Sequence, residues 1–205
     1  MDQPEPGGEA AFSRCGQYRW WLRRRWQASG PRLLFVGLNP SSADGCRDDP
    51  TLRRLIGFAR SWGYGSLEVL NLFAWISSDP TALRQCRDPV GDRTDAWIVA
   101  RTRVLTEEKA RDRAVPPTEG NGGVPLWLGW GNGGGWRGRD QQLLEKLQGL
   151  PVRLLCLGVT AGGHPRHPLY VRGGSPLMPF APSLGQRFTP QATPCPARRA
   201  ATRST

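Results

Sequence analysis

The fold is decided by residues 32–44, which read Arg32-Leu33-Leu34-Phe35-Val36-Gly37-Leu38-Asn39-Pro40-Ser41-Ser42-Ala43-Asp44. The first half is a continuous apolar run, which is typical of a parallel strand buried on both faces. The run stops at Asn39-Pro40, because proline lacks a backbone N–H and pushes Asn39 toward extended geometry. A polar amide therefore stands at the carboxyl end of a predicted central strand, where ligands bind in open α/β sheets.

Strand-like and helix-like segments alternate along the rest of the chain. Further apolar segments predict strands at 67–73, 124–130 and 152–157. Capping side chains, two of them followed by proline, predict helix starts at Asp49-Pro50, Asp79-Pro80, Asp92 or Thr94, and Asp140. This alternation predicts an α/β fold with three layers, α/β/α, around a central four-stranded and mostly parallel sheet.

The segment 18–26 is rich in tryptophan and arginine. Tyr18, Trp20, Leu22 and Trp26 share one parity, which favours a strand, although the spacing of Tyr18 and Leu22 also fits a helix. We expect a strand at the edge of the sheet. Its interleaved Arg and Trp side chains could hold phosphates and bases, or could form a solvated face beside an aromatic core.

Composition predicts where the folded part begins and ends. Residues 1–13 and the basic residues 182–205 lack hydrophobic periodicity, so we expect both to be disordered. Residues 107–123 end a helix and continue as a polar loop. A single α/β domain is therefore predicted for residues 14–181.

The charge distribution favours a polyanionic partner. The 205 residues carry a net charge of +11, with no acidic residue between Glu9 and Asp44 and none after Glu145. Both ends of the chain are therefore basic, and we expect DNA or a nucleotide as the partner. Arginine-rich composition without a binding role is the alternative.

Cysteine usage and hydropathy narrow the protein class. The five cysteines are scattered without a Cys-x-x-Cys pair, which argues against a disulfide framework, and neither they nor the histidines have zinc spacing. The start of the chain has no signal-peptide pattern, and no apolar run approaches about 18 residues. We expect a cytoplasmic monomer that uses no metal and no cofactor and contacts no membrane.

Polar side chains follow each of the four predicted strands: Asn39, Asn71, Asn132 and, in the loop after the last strand, His167. An Asn amide offers a donor and an acceptor side by side, which suits the edge of a planar heterocycle. A neutral His can donate to an oxygen that becomes anionic as a bond breaks. Because Asn can position a water but is a weak base, cleavage of an N-glycosidic bond fits this set. Each of these residues could instead have a purely structural role.

Several short motifs resemble the bacterial DUF1643 family of unknown function, over roughly residues 14–180. They are Tyr18-Arg19-Trp20, Leu38-Asn39-Pro40-Ser41, Asp48-Asp49-Pro50-Thr51, Gly57-Phe58-Ala59, Trp62-Gly63-Tyr64-Gly65, Asn71-Leu72-Phe73-Ala74, Asp88-Pro89-Val90-Gly91 and Pro165-Arg166-His167-Pro168-Leu169-Tyr170.

The order of these motifs also resembles, more distantly, the uracil-DNA glycosylase superfamily. That resemblance implies a four-stranded parallel sheet between helices. It implies that Asn39 positions the water, that Asn71 reads the base edge with Pro40 and Asn132 nearby, and that His167 stabilises the base oxyanion. Leu169 or Tyr170 would enter the duplex. Phosphate contacts are expected from Arg23, Arg24, Arg25 and Arg166.

The sequence thus predicts a uracil-DNA glycosylase-like protein that recognises a nucleobase and hydrolyses an N-glycosidic bond in DNA. Two alternatives remain open. One is a nucleic-acid or nucleotide-binding module that keeps the pocket without the chemistry. The other is a hydrolase or transferase that acts on free nucleosides or nucleotides.

Overall fold

The computed structural model describes residues 7–111 and 123–182. Seven strands form one sheet: β1 (Gly7–Phe12), β2 (Arg19–Arg25), β3 (Arg32–Gly37), β4 (Ser66–Asn71), β5 (Val124–Leu128), β6 (Val152–Cys156) and β7 (Met178–Pro179). The α-helices are α1 (Pro50–Ser61), α2 (Pro80–Gln85), α3 (Thr94–Arg111) and α4 (Arg139–Leu147). The predicted α/β class is confirmed.

The sheet is larger than predicted, with the strand order β1-β2-β4-β3-β5-β6-β7. The four strands predicted from apolar runs are its parallel centre, β4-β3-β5-β6. Antiparallel strands extend this centre on both sides, with β2 and β1 beyond β4 and β7 beyond β6. The prediction of four strands is therefore wrong in number, because short or irregular strands carry a weak periodic signal.

The N-terminal part of the sheet differs most from expectation. The segment 18–26 forms a strand, β2, but β2 lies between β1 and β4 instead of at the edge. The edge strand is β1, so the predicted disorder through residue 13 is wrong for Gly7–Phe12. Its sequence is rich in Gly and Ala, and it is held by the ladder with β2 and by the packing of Ala10 and Ala11 against the two core clusters. The predicted disordered tail lies outside the described residues, except Pro182.

Helices cover both faces of the sheet. On one face, apolar residues of α1 pack against β3 and β4, around Leu55, Phe58 and Leu67. On the other face, α3 and α4 contribute Ile98 and Leu143 to a second cluster. Because β3 sends side chains into both clusters, it is buried on both sides, as its continuous apolar sequence predicts.

The predicted helix starts are largely confirmed. The carboxylate of Asp49 accepts the Leu52 N–H at 2.7 Å and caps α1, and Asp79 caps α2. Of the two starts proposed for α3, the structure has Thr94. A 3-10 segment, Gly131–Gly138, precedes α4 and takes up the glycine-rich stretch. The polar loop predicted at 107–123 begins later, since α3 continues to Arg111, and residues 112–122 lie outside the described part.

Candidate functional site

The ends of β3 and β4 lie level with each other. Gly37, the last residue of β3, pairs with Asn71, the last residue of β4. The ladder continues briefly, with the Leu72 N–H donating to the Gly37 oxygen at 2.9 Å. The chain after β3 and the end of β4 therefore open toward the same side, and Asn39 stands close to Asn71.

A cleft of about 410 Å³, a volume that includes the open space at its mouth, lies at this edge. Asn39, Asn71 and His167 all line it, although they are far apart in the sequence. Two charged residues, Arg19 and Asp49, line the same cleft. The structure therefore brings together three of the four side chains that follow the predicted strands.

The amide of Asn39 is fixed by the backbone around it. Its Nδ2 donates to the Ser77 oxygen at 2.8 Å and to the Pro40 oxygen at 3.1 Å. The Pro40 oxygen also accepts the Ser77 N–H, which ties the two loops together. Because both amide hydrogens have acceptors, Oδ1 is the group of Asn39 that can accept a hydrogen bond from water or ligand.

Two glycines allow the loop that carries His167 to reach the cleft. The Gly131 N–H donates to the Pro165 oxygen at 2.8 Å, and Gly131 adopts a φ of +65°. A Cβ at Gly129 would lie 2.6 Å from the Phe35 ring and 3.0 Å from Pro168. His167 then begins the 3-10 turn Pro168–Tyr170, where proline takes a position that needs no donor.

His167 is half-buried, and burial lowers its pKa below the ordinary value of 6.5, although the negative charge of Asp49 opposes this shift. The Leu169 N–H donates to Nδ1 at 3.4 Å. The neutral ring therefore carries its proton on Nε2. His167 can act as a neutral donor at pH 7, which is the property required of a group that stabilises a developing oxyanion.

Asn71 is held by a buried arginine that the sequence did not single out. Arg19 Nη2 donates to Asn71 Oδ1 at 3.3 Å, and Nη1 donates to the Ala43 oxygen at 2.8 Å. The arginine therefore orients the amide and leaves Nδ2 as the donor that Asn71 can offer a ligand. Residue 37 is a glycine beside this amide, and a Cβ at Gly37 would lie only 3.0 Å from Asn71 Nδ2.

Asp49 lines the cleft in addition to capping α1. It is buried and lines the cleft while its Oδ1 accepts the Leu52 N–H. It is the one carboxylate among the lining residues, and its charge reaches both His167 and Arg19. The lining of the cleft therefore combines one cation, one anion and five uncharged polar side chains, which are those of Asn39, Ser41, Thr51, Asn71 and His167.

Two residues predicted to contact the base lie elsewhere. Asn132 is exposed, and its Oδ1 accepts the Thr160 hydroxyl at 2.6 Å instead of facing the cleft. Pro40 is buried behind the cleft and contributes its carbonyl to Asn39 and Ser77. Asn132 diverges because the chain after β5 turns immediately into the 3-10 segment.

The three consecutive arginines of β2 have different surroundings. Arg24 is buried and donates to Asp48 Oδ1 at 2.8 Å and to the Asp44 oxygen at 2.6 Å, so its predicted phosphate contact is corrected to a structural role. Arg23 is half-buried with Nη1 3.7 Å from Glu9. Arg25 is exposed and bonds the Gln27 oxygen.

The loop around His167 has an exposed outer surface. Tyr170 is 84% exposed and Leu169 is 42% exposed. Arg166 is also exposed, with its Nε donating to the Val159 oxygen at 2.9 Å. These three predicted DNA contacts therefore lie at the surface beside a residue that lines the cleft.

The described residues contain no group of three or more His, Cys, Asp or Glu side chains placed to hold a metal ion. Within the same residues, no helix has the length and apolar content needed to cross a membrane.

Sequence reasoning missed Arg19 as a site residue. It stands in the Arg- and Trp-rich segment, where alternation suggested solvated arginines. Its position could have revealed it. Arg19 is the first residue of a strand and stands between Tyr18 and Trp20, so neighbouring aromatic residues favour burial of its side chain. Only the strand order, which puts β2 next to β4, brings Arg19 to Asn71.

Comparison with known proteins gives a family and no activity. The profile of a family described as "Protein of unknown function (DUF1643)" matches residues 19–169. No curated protein and no solved structure matches the chain.

Proposed function

This chain belongs to the DUF1643 family, and we propose from the geometry of its cleft that it recognises a nucleobase and hydrolyses an N-glycosidic bond in DNA. The observation that carries the proposal is the convergence of Asn39, Asn71 and His167 on one cleft at the carboxyl ends of β3 and β4. A purely structural role for each residue does not require them to meet.

The hydrogen-bonding state of each side chain supports a division of roles. Asn39 presents an acceptor, Oδ1, which can hold a water by one of its hydrogens. Asn71 presents a donor, Nδ2, toward the base edge, and neutral His167 presents Nε2–H to a base oxygen. This set is the one that the resemblance to the uracil-DNA glycosylase superfamily assigns to water, base edge and oxyanion.

The reaction needs little help from a base. Departure of a nucleobase from C1′ passes through an oxocarbenium-like transition state, so a water that is only positioned can complete it. The carboxylate of Asp49 in the same cleft supplies negative charge that favours such a cation. A target base would first have to leave the duplex, and exposed Leu169 and Tyr170 beside His167 are available to occupy the space it leaves.

The experiment is a glycosylase assay with oligonucleotides that contain uracil, hypoxanthine or a mismatched base. We expect abasic sites, detected as strand scission after alkali, with at least one substrate. Asn39→Ala is expected to remove activity, while Asn132→Ala, the matched exposed asparagine outside the cleft, keeps it. No scission with any substrate at stoichiometric protein contradicts the enzymatic claim.

A second candidate function is a binding module without chemistry. The observation that favours it is that the residue assigned to the water is a neutral amide, and that Asp49 already uses one oxygen to cap α1. Oligonucleotide binding that persists in Asn39→Ala and His167→Ala, without product from the unaltered protein, would identify this function. Salt dependence of that binding distinguishes nucleic acid from a free nucleotide.

A further inference from the structure

Arg19 differs from the other buried arginine of the same strand. Arg19 and Arg24 are each 5% exposed. The guanidinium of Arg24 forms an ion pair with Asp48 and bonds three backbone oxygens. Arg19 bonds one backbone oxygen and one amide oxygen, and its buried Nε has no hydrogen-bond partner in the described part of the protein.

A buried cation in this state is unusual. Burying a guanidinium is costly unless a carboxylate or other acceptors compensate it. None of the ion pairs within 4.0 Å in the described residues includes Arg19. Burial lowers the pKa of Arg19 to about 10, although the negative charge of Asp49 opposes this shift. Asp49 offsets part of this cost without contacting Arg19, and an anionic ligand in the cleft that Arg19 lines would offset more of it.

We propose that Arg19 contacts the ligand directly and binds an anionic oxygen of that ligand. The inference rests on the proposed function for its choice of a nucleobase as the ligand. The expectation that the ligand carries an anionic oxygen rests on the surroundings of Arg19 alone.

The chemistry is balanced with water as the co-reactant. The C1′–N bond breaks, and its electron pair leaves with the base, which becomes an anion delocalised onto its exocyclic carbonyl oxygens. Arg19 and neutral His167 stabilise that charge as it forms. Water forms the new bond to C1′ and releases one proton, which neutralises the base after departure.

The test measures binding of free bases of graded acidity by calorimetry. Uracil is neutral at neutral pH, whereas 5-nitrouracil is largely anionic, and the two have similar shapes. We expect the anion to bind at least about tenfold more tightly, the difference typical of a hydrogen bond to a charged group. This comparison uses the unaltered full-length protein, so it needs no variant to fold.

Variants then assign the preference to one side chain. Arg19→Lys and Arg19→Gln are expected to reduce the preference for the anion to about threefold or less, with folding checked by circular dichroism. Arg24→Lys is the matched control, because it changes an equally buried arginine of the same strand whose donors are used by the protein. If Arg24→Lys reduces the preference as strongly, the assignment to Arg19 is overturned.

A third titration uses inorganic phosphate, which also carries anionic oxygens. Phosphate binding that depends on Arg19, without binding of either base, supports Arg19 as an anion contact and contradicts the proposed function. Equal affinity for both bases, unchanged in Arg19→Gln, contradicts the role of Arg19 and leaves the proposed function standing. Binding of none of the three compounds contradicts both.

Discussion

The two histidines lie in one short loop, but they belong to two polar clusters with opposite character. His167 lines the cleft with Asn39 and Asn71. His164 belongs to a second group, the Asn132 cluster, which we define as Asn132, Asp140, Thr160 and His164. In that cluster Thr160 donates to Asn132 Oδ1 at 2.6 Å, and His164 Nδ1 lies 3.1 Å from Asp140 Oδ2.

The clusters differ in place, because one lines the cleft and the other joins two segments of the chain. The side chains of the Asn132 cluster bond one another, so they fix the loop after β6 to the start of α4. In the cleft, the bonds to Asn39, Asn71 and His167 orient each side chain and still leave one donor or acceptor for a ligand. Position at the end of a strand therefore does not separate the two clusters, whereas lining the cleft does.

The largest expected difference between the clusters is in activity. Removing the donor with His167→Ala should lower the glycosylase rate about a hundredfold or more, because a group that stabilises a developing oxyanion typically contributes that much. The paired change His164→Ala should alter the rate less than about threefold. Single-turnover kinetics with a uracil- or hypoxanthine-containing oligonucleotide measure both. Equal losses in the two variants would show that the loop, and not His167, is required.

A smaller difference between the clusters is expected in the loss of stability when a neighbouring glycine is replaced by alanine. Gly129→Ala would place a methyl group 2.6 Å from the Phe35 ring, so the free energy of unfolding should fall by about 1–3 kcal/mol. Gly162→Ala meets Asn132 and His164 only at 3.3 Å and should change stability by less than about 1 kcal/mol. Urea unfolding monitored by tryptophan fluorescence compares the two. A larger loss for Gly162→Ala would mean that the Asn132 cluster is the more tightly packed region.

The smallest expected effect is on the pH dependence of stability. Because burial lowers the pKa of folded His167, the unfolded chain binds more protons at pH values between the lowered pKa and about 6.5. The contribution of neutral His167 is therefore complete above about 6.5 and is lost as the pH falls toward the lowered pKa.

Unfolding free energies of the unaltered protein and of His167→Gln, measured in steps from about pH 8 to pH 5, should converge on acidification as this contribution is lost. His164→Gln is the control, and it should retain the part of the pH dependence that His167 supplies. A relative gain in the stability of the unaltered protein in acid contradicts the direction of the pKa shift.

The central part of the fold could be predicted because its signals are local. Continuous apolar runs identified β3, β4, β5 and β6, and Asp followed by Pro marked the starts of α1 and α2. The outer strands could not be predicted in this way, since β1 is Gly- and Ala-rich and β7 has two residues. Such strands are extended because of their neighbours, which a sequence pattern does not contain.

The candidate site was predicted in part. Asn39 and Asn71 stand at the ends of β3 and β4 in the middle of the sheet, so strand ends located them, whereas His167 lies farther along, in the loop after β6. Asn132 also follows a central strand, but it turns away with the 3-10 segment. Arg19 is the first residue of its strand, and it reaches the site because antiparallel β2 runs in the opposite direction to β4.

The sequence by itself determined the parallel centre of the sheet and the placing of polar residues at its carboxyl edge, because hydrophobic period and proline act over a few residues. Tertiary structure alone decided which of those residues share a cleft and which satisfy one another. It also decided that one of two equally buried arginines keeps an unpaired donor. Those outcomes depend on strand order and on loop packing between residues far apart in the chain. The hydrogen bonds of a buried guanidinium are set by the oxygens that the folded chain places around it.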